Sequence, residues 1–361
     1  FAIQDEIAGH IVDALKLTLA LDTTQPPTSN LEAYTLYLQG RELLRQRDAQ
    51  GLRQAEQLLD EATELDADFA EAWAARAMVQ IVLPGYVKDD YDRYIDPARQ
   101  YAERALALAP DNPEAMLVLG QILNVTGQDA QALEQLALLV DQHPQHSTAR
   151  LWYAISLANA GYLQESFNQI DAALQVDPVH GTVLDWHARI AHSAGEFDRV
   201  EEIGARALQL GRPQARVALH HAFIFDGTAA DMEPYLEGQE DYSWGWMRRA
   251  YTLRENPVLL PEALAWADEA ESGGAGFLAE YMRAEFLMVA GSAKDYFDQL
   301  KVILLVDDSI NTSAWLQAAS HHRREPAMKA WARDIGYVEL WRERGWPDLC
   351  RPIGDDDFEC D

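Results

Sequence analysis

PDNPEAMLVLGQILNVTG (residues 110–127), PQHSTARLWYAISLANAG (144–161) and PVHGTVLDWHARIAHSAG (178–195) each open on a proline and close on a glycine, at intervals of 34 residues. Two different punctuators sharing one period point to a repeated supersecondary unit rather than to chance. Glycine permits the positive φ of a tight turn between two helices, and proline ends one unit before the next begins. Between these marks small and apolar residues recur at helical spacing: Ala98, Ala102 and Ala105, then Ala132, Leu136 and Leu139, then Ile170 and Ala173. A pair of short helices cannot bury its own apolar face, but stacked pairs bury each other's. The expectation is an all-α chain.

Composition agrees. The chain has 361 residues, 48% of them hydrophobic, and its β-branched residues are too scattered to build a large sheet. No apolar run approaches the ~20 residues that span a bilayer. Asp and Glu outnumber Lys and Arg 59 to 29, a net charge of −30, so the long-range field repels phosphate backbones and anionic lipid surfaces. No nucleic acid is expected to bind this segment, and a membrane only through a segment upstream of it.

Outward from the regular stretch, the first residues, FAIQDEIAGHIVDALKLTLAL, read as an amphipathic helix over about 1–21, followed by the linker TTQPPTSN with Asn30 placed to cap the next helix. A first hairpin follows in AYTLYLQGRELLRQR and LRQAEQLLDEATELD. Pro84 and Gly85 predict a longer turn in VLPGYVKDDYDRYIDPARQ, where Tyr86, Tyr91 and Tyr94 interrupt the repeat. Beyond Arg212 the punctuation is irregular, yet helical periodicity persists in LPEALAWADEA, GFLAEYMRAEFLMVA and AKDYFDQLKVILLV. The organisation expected is residues 1–29 as an N-terminal helix and linker closing a preceding domain, 30–212 as regular hairpins, 213–335 as degenerate hairpins and 336–361 as a C-terminal cap.

The unit resembles the tetratricopeptide repeat: Trp73 and Ala77, then Met116, Gly120 and Gly127, then Tyr153, Ala154 and Gly161 stand where that pattern asks for bulky, small and turn residues. The resemblance implies a right-handed α-α superhelix. The opening FAIQDEIAGHIVDALKL, the segment AYTLYLQGRELL and the close DIGYVELWRERGWPDLCRPIGDDDFECD look like the carboxy-terminal half of a bacterial signalling family. Its members join a TolB-like domain to tetratricopeptide repeats behind a membrane-anchored winged-helix domain or a nucleotide cyclase. Nothing from residue 1 onward matches a winged helix, cyclase or kinase, and the start inside a helix predicts a fragment of a longer protein.

Cys350 and Cys360 are the two cysteines, ten residues apart. They either close a small loop by a disulfide or remain reduced thiols; the resemblance, which places similar tails on the periplasmic side of the inner membrane, favours the disulfide, and a cytoplasmic location is the alternative. Their spacing fits neither a Cys-x-x-Cys redox centre nor half of a zinc site. Asp355, Asp356, Asp357, Glu359 and Asp361 lack the alternation of a calcium loop and read as a solvated tail. His143 with His146, His220 with His221, and His321 with His322 match no zinc spacing. No nucleophile elbow, phosphate loop or dinucleotide fingerprint is present. Neither metal nor cofactor is expected, and no catalytic residue is assigned.

First helices line the concave side of such a superhelix. Repeat phase places Glu114, Leu117, Gln121 and Asn124, then Thr148, Leu151, Ile155 and Asn159, then Asp185, Arg189 and His192 there. Amide side chains can hydrogen-bond an extended backbone, so the expected ligand is a neutral or basic protein segment or peptide. The alternative for the groove is that the chain's own terminal helix fills it. The function expected is a scaffold or sensor segment that reports partner binding to a separate output domain, not an enzyme. Two alternatives stand beside it: an oligomerising stalk, and a small-molecule receptor with a closed apolar cavity around Trp244, Trp246 and Trp266.

Overall fold

The computed structural model describes residues 27–361 except 47, 88–91, 213–214, 237–241, 276, 305–307 and 355. The expected helix at 1–21 lies outside the described residues. Within them, nineteen α-helices precede a two-stranded sheet, and the first sixteen pair as consecutive hairpins. These are α1 (Leu31–Gln46) with α2 (Ala49–Leu65), α3 (Ala70–Val87) with α4 (Asp92–Leu108), α5 (Pro113–Val125) with α6 (Asp129–Gln142), and α7 (Ser147–Asn159) with α8 (Leu163–Val176). The array continues as α9 (Gly181–Ser193) with α10 (Phe197–Gln209), α11 (Ala215–Asp226) with α12 (Ala229–Leu236), α13 (Tyr242–Glu255) with α14 (Leu260–Ala270), and α15 (Phe277–Ala290) with α16 (Ala293–Leu304). Helices α5, α7, α9 and α11 begin at 113, 147, 181 and 215, so the 34-residue period of the sequence is the period of the fold.

Gly127, Gly161 and Gly195 occupy equivalent corners with φ of 72°, 88° and 81°. At each, the residue after the glycine donates its N–H back across the corner, from Gln128 to Leu123 O, Tyr162 to Leu157 O and Glu196 to Ala191 O, at 2.8–2.9 Å. This closes the helix end by satisfying a carbonyl that would otherwise be orphaned. Inside a hairpin, a Cβ at Gly120 would lie 3.0 Å from Leu136, so the glycine sets how closely α5 and α6 approach. Asn30 caps α1 as expected, accepting from Glu32 N and Ala33 N at 3.1 Å. Asn112, His146 and His180 cap α5, α7 and α9 at matching positions.

The turn expected at Pro84–Gly85 is not there. Helix α3 runs through both residues to Val87, with Pro84 buried in its last turns. Its alanines, Ala72, Ala74, Ala75 and Ala77, are fully buried, and packing on all sides holds the helix together across the one hydrogen bond that proline removes. Tyr94 lies within α4 rather than in a loop, and Tyr91 is outside the described residues.

After α16 the chain turns back. Two 3-10 segments, Asp308–Trp315 and Gln317–Ala319, lead to short helices α17 (Ser320–Arg323), α18 (Pro326–Asp334) and α19 (Tyr337–Arg344). An antiparallel hairpin of β1 (Cys350–Ile353) and β2 (Asp357–Cys360) follows, with Cys350 opposite Cys360 and the two joined by a disulfide. One continuous core holds Leu133, Leu157 and Leu163 of the early hairpins together with Trp315, Trp331, Trp341 and Phe358 of this cap. Residues nearly two hundred positions apart therefore share a single apolar interior.

Candidate ligand-binding face

Four of the eight polar positions assigned to the concave face keep partial access to solvent, and four do not. Glu114, Asn124, Thr148 and Arg189 are half-buried. Gln121, Asn159, Asp185 and His192 are buried. Asn124 Nδ2 donates to Gln121 Oε1 at 2.8 Å and to Ser156 Oγ of the next hairpin at 2.6 Å. Asp185 accepts from Arg212 Nε at 2.9 Å, and Arg189 lies over the Trp186 ring at 4.3 Å. The amides and carboxylate read as ligand contacts are thus largely committed to joining one hairpin to the next.

The chain's own C-terminal part packs on three of these first helices, α7, α9 and α11. The 3-10 segment Asp308–Trp315 packs on α7 and α9, and Gln317–Ala319 packs on α11 and α15. Trp315 Nε1 donates to Asn159 O at 2.9 Å, and Trp341 Nε1 to Ala160 O at 2.9 Å. These carbonyls end α7 and have no partner within the helix, so the indoles supply what the helix end lacks. The α7–α8 corner is held at four further points. Tyr162 Oη donates to Gly345 O, Asp348 N to Gly161 O and Gln164 N to Asp348 Oδ2, at 2.7, 3.3 and 2.8 Å. Arg344 pairs with Glu165 at 2.7 Å. C-terminal 3-10 segments therefore pack on first helices whose positions repeat phase assigned to the concave face, where the alternative expectation named a terminal helix.

Nearer the N-terminus that face stays accessible. Arg41, exposed on α1, donates to Tyr37 Oη at 3.2 Å. Burial pushes the Tyr37 phenol up to about 12, partly offset by Arg41, while the charge of Glu114 from α5 acts on both. Arg41 is a cation the repeat pattern did not single out. It sits on the first described hairpin, ahead of the stretch where proline and glycine mark the 34-residue period.

A second feature was invisible in the sequence. His220 and His221 of α11 converge on Glu285 of α15, with His221 Nε2 2.8 Å from Oε1 and His220 Nε2 3.7 Å from Oε2. Burial alone would raise the Glu285 carboxyl, but the two imidazoles outweigh it and hold the group well below the usual carboxylate range. His192 of α9 lies beside them, 6.5 Å from the His221 ring, and burial lowers it to about 3. His220 stands edge-on to Trp246 and Tyr251. These residues come from four hairpins and share no local motif. Among the described residues no group of three or more His, Cys, Asp or Glu side chains is disposed to hold a metal ion. His322 instead contacts the Leu287 and Met288 carbonyls at 3.2 and 3.0 Å, and His146 is a helix cap.

Of the tryptophans expected to ring a closed apolar cavity, Trp246 is buried among aromatic neighbours, and Trp266 carries the Arg249 guanidinium 4.6 Å above its ring. The side chain of Trp244 lies outside what the structure describes. No described helix is long and apolar enough to cross a membrane.

Comparison with known proteins places this geometry. The family model of the tetratricopeptide repeat matches residues 95–158, which span α4 to α7. The transcriptional regulator HilA of Salmonella typhimurium and that of Salmonella typhi are each 25% identical to this chain over 180 residues, covering 49% of the chain and 32% of the relative. The match thus spans about a third of these relatives' length. Among solved structures, YrrB, a TPR protein with an unusual peptide-binding site, is 25% identical over 47% of this chain and 82% of its own, with a TM-score of 0.32. PilW, a type IV pilus biogenesis factor, is 19% identical over 59% of this chain and 94% of its own, with a TM-score of 0.43. The chain carries a tetratricopeptide repeat region within an all-α array of helical hairpins.

Proposed function

We propose that this chain is the protein- or peptide-binding segment of a bacterial signalling or transcription-regulatory protein, acting as scaffold or sensor for a separate output domain. One observation carries the reading: the concave face accepts the chain's own 308–319 segment, with Trp315 seated on the end of α7. A surface that takes an irregular segment through helix-end carbonyls has the chemistry to take another. The accessible stretch, bordered by Arg41, Glu114, Asn124 and Thr148, is where a partner segment would lie. The similarity of about half the chain to a transcriptional regulator supports the regulatory context, and the Cys350–Cys360 disulfide supports an oxidising compartment such as the periplasm.

The surplus of carboxylates favours a neutral or basic partner segment. Fluorescence polarisation with a labelled library of extended peptides tests this. Basic peptides are expected to bind, and Glu114→Lys to weaken them by about tenfold or more. Affinity unchanged by Glu114→Lys and by Thr148→Arg, or no binding across the library, would overturn the assignment of this face.

A further inference from the structure

The helices of the seventh hairpin, α13 and α14, touch sparsely compared with the other pairs and are joined through the 3-10 turn Pro257–Leu259. Between them lies a cleft of about 330 Å³, at the small end of ligand-binding sites. Its floor is apolar: Leu253 and Ala263 are buried and Leu259 borders them. Its rim carries both signs of charge. Arg248 is committed, pairing with Glu233 at 2.9 Å and donating to Leu236 O at 3.0 Å. Arg249 is not. It rests on the Trp266 face and makes no hydrogen bond or ion pair with another described residue. Glu262, on the opposite helix, likewise has none.

We propose that this cleft binds a free α-amino acid with an apolar side chain. An uncommitted guanidinium held over an indole keeps its N–H groups for a carboxylate, which it can grip by two parallel bonds. An uncommitted carboxylate across the cleft accepts an ammonium group. A molecule bearing both charges on one carbon meets both, and its side chain covers Leu253, Leu259 and Ala263. The volume admits one such residue and not a folded segment. The site is separate from the concave stretch at Arg41 and Glu114, so the small molecule and the protein partner do not compete for the same atoms.

Isothermal titration of the intact chain with L-leucine, leucinamide and N-acetyl-leucine tests the assignment. L-Leucine is expected to bind, and each analogue, missing one charge, to bind about tenfold or more weakly. Arg249→Gln should weaken L-leucine by a similar factor and leave leucinamide unchanged; Glu262→Gln should weaken L-leucine and leave N-acetyl-leucine unchanged. Equal affinity for all three compounds, no heat with any of them, or full affinity in Arg249→Gln would overturn it. Arg249 is half-buried, Glu262 is exposed and neither holds an ion pair with another described residue, so the variants are expected to fold, which circular dichroism checks. Peptide binding measured on the same samples keeps the two proposals apart: loss of one response with retention of the other assigns the failure to its own site.

Discussion

Gly161 answers to two demands, whereas its repeat equivalents answer to one. All three corner glycines have positive φ, which costs a side chain roughly 1–2 kcal/mol. At Gly127 and Gly195 a Cβ would meet nothing within 4 Å, but at Gly161 it would lie 2.8 Å from the Trp315 ring and 3.0 Å from Pro347. Gly161→Ala should therefore destabilise the protein by about 1–3 kcal/mol more than Gly127→Ala or Gly195→Ala, since overpacking adds to strain. Urea denaturation of the three variants compares them directly; equal losses would mean that the cap yields freely. Asp348 is a second case. The residue before α8, Tyr162, offers no side-chain cap, and Asp348 Oδ2 accepts the Gln164 N–H instead. Asp348→Ala should cost about 1 kcal/mol, as loss of a local helix cap does, with amide exchange at Gln164 rising more than at the equivalent Asp198 of α10.

At the scale of elements, the β-hairpin shows how little local preference decides at the C-terminus. A pair of four-residue strands is not stable alone. It holds here because Phe358 packs edge-on against Trp341 and face-tilted against Trp346, and because the disulfide closes the ten-residue loop. Loop closure of that length is worth about 2–3 kcal/mol in the unfolded-chain model. Reduction, or Cys350→Ser with Cys360→Ser, should lower cap stability by about that amount. Hydrogen exchange should then increase at Gly161 and Gln164 before it increases in α5 or α6, because the cap is what covers the α7–α8 corner. Exchange rising uniformly along the array would show that cap and hairpins unfold as one unit. Removing the Trp341 side chain, Trp341→Ala, should cost about 3–5 kcal/mol through the cavity it leaves, and it also strips a partner from Ala160 O.

Across the whole molecule, buried imidazoles make stability depend on pH. Burial holds His187 and His322 at about 4 and His192 at about 3, against 6.5 for the free side chain. Below pH 6.5 the unfolded chain takes up protons that these folded positions refuse, so the stability they contribute is present above 6.5 and is lost on acidification toward 4. Each removes up to about 1.4 kcal/mol per pH unit in that range. Most carboxylates titrate below about pH 5, but burial raises Asp129 to about 6, so its protonation adds stability on acidification and offsets part, though not all, of what the three imidazoles remove between 6.5 and 5.5. The urea midpoint should fall across that interval, and His192→Gln should flatten the fall. A midpoint independent of pH would contradict the burial of these rings. The same centre bears on legibility. His220 and His221 read as an unremarkable pair, because Glu285 stands 64 residues away and no spacing rule connects them.

The periodic part of the fold could be read directly. Proline and glycine at 34-residue intervals act through backbone geometry within a few residues of themselves, and α5 to α11 begin where that period puts them. Pro84 misled the reading because its local cost is outweighed by burial of α3 on every side, which no single segment reveals. Repeat phase grouped first-helix positions into one candidate face. Its occupancy was not legible. Whether Asn159 meets a ligand or Trp315 depends on how far the accumulated turn of the hairpins brings residue 315 toward residue 159, a sum of small inter-helix rotations that no side chain encodes alone. Local sequence determined the repeating unit, because short-range sterics and capping specify it. Tertiary structure decided which part of the face is free, where the histidines meet and what the cap covers, because those depend on contacts between residues that become neighbours only when the chain has closed on itself.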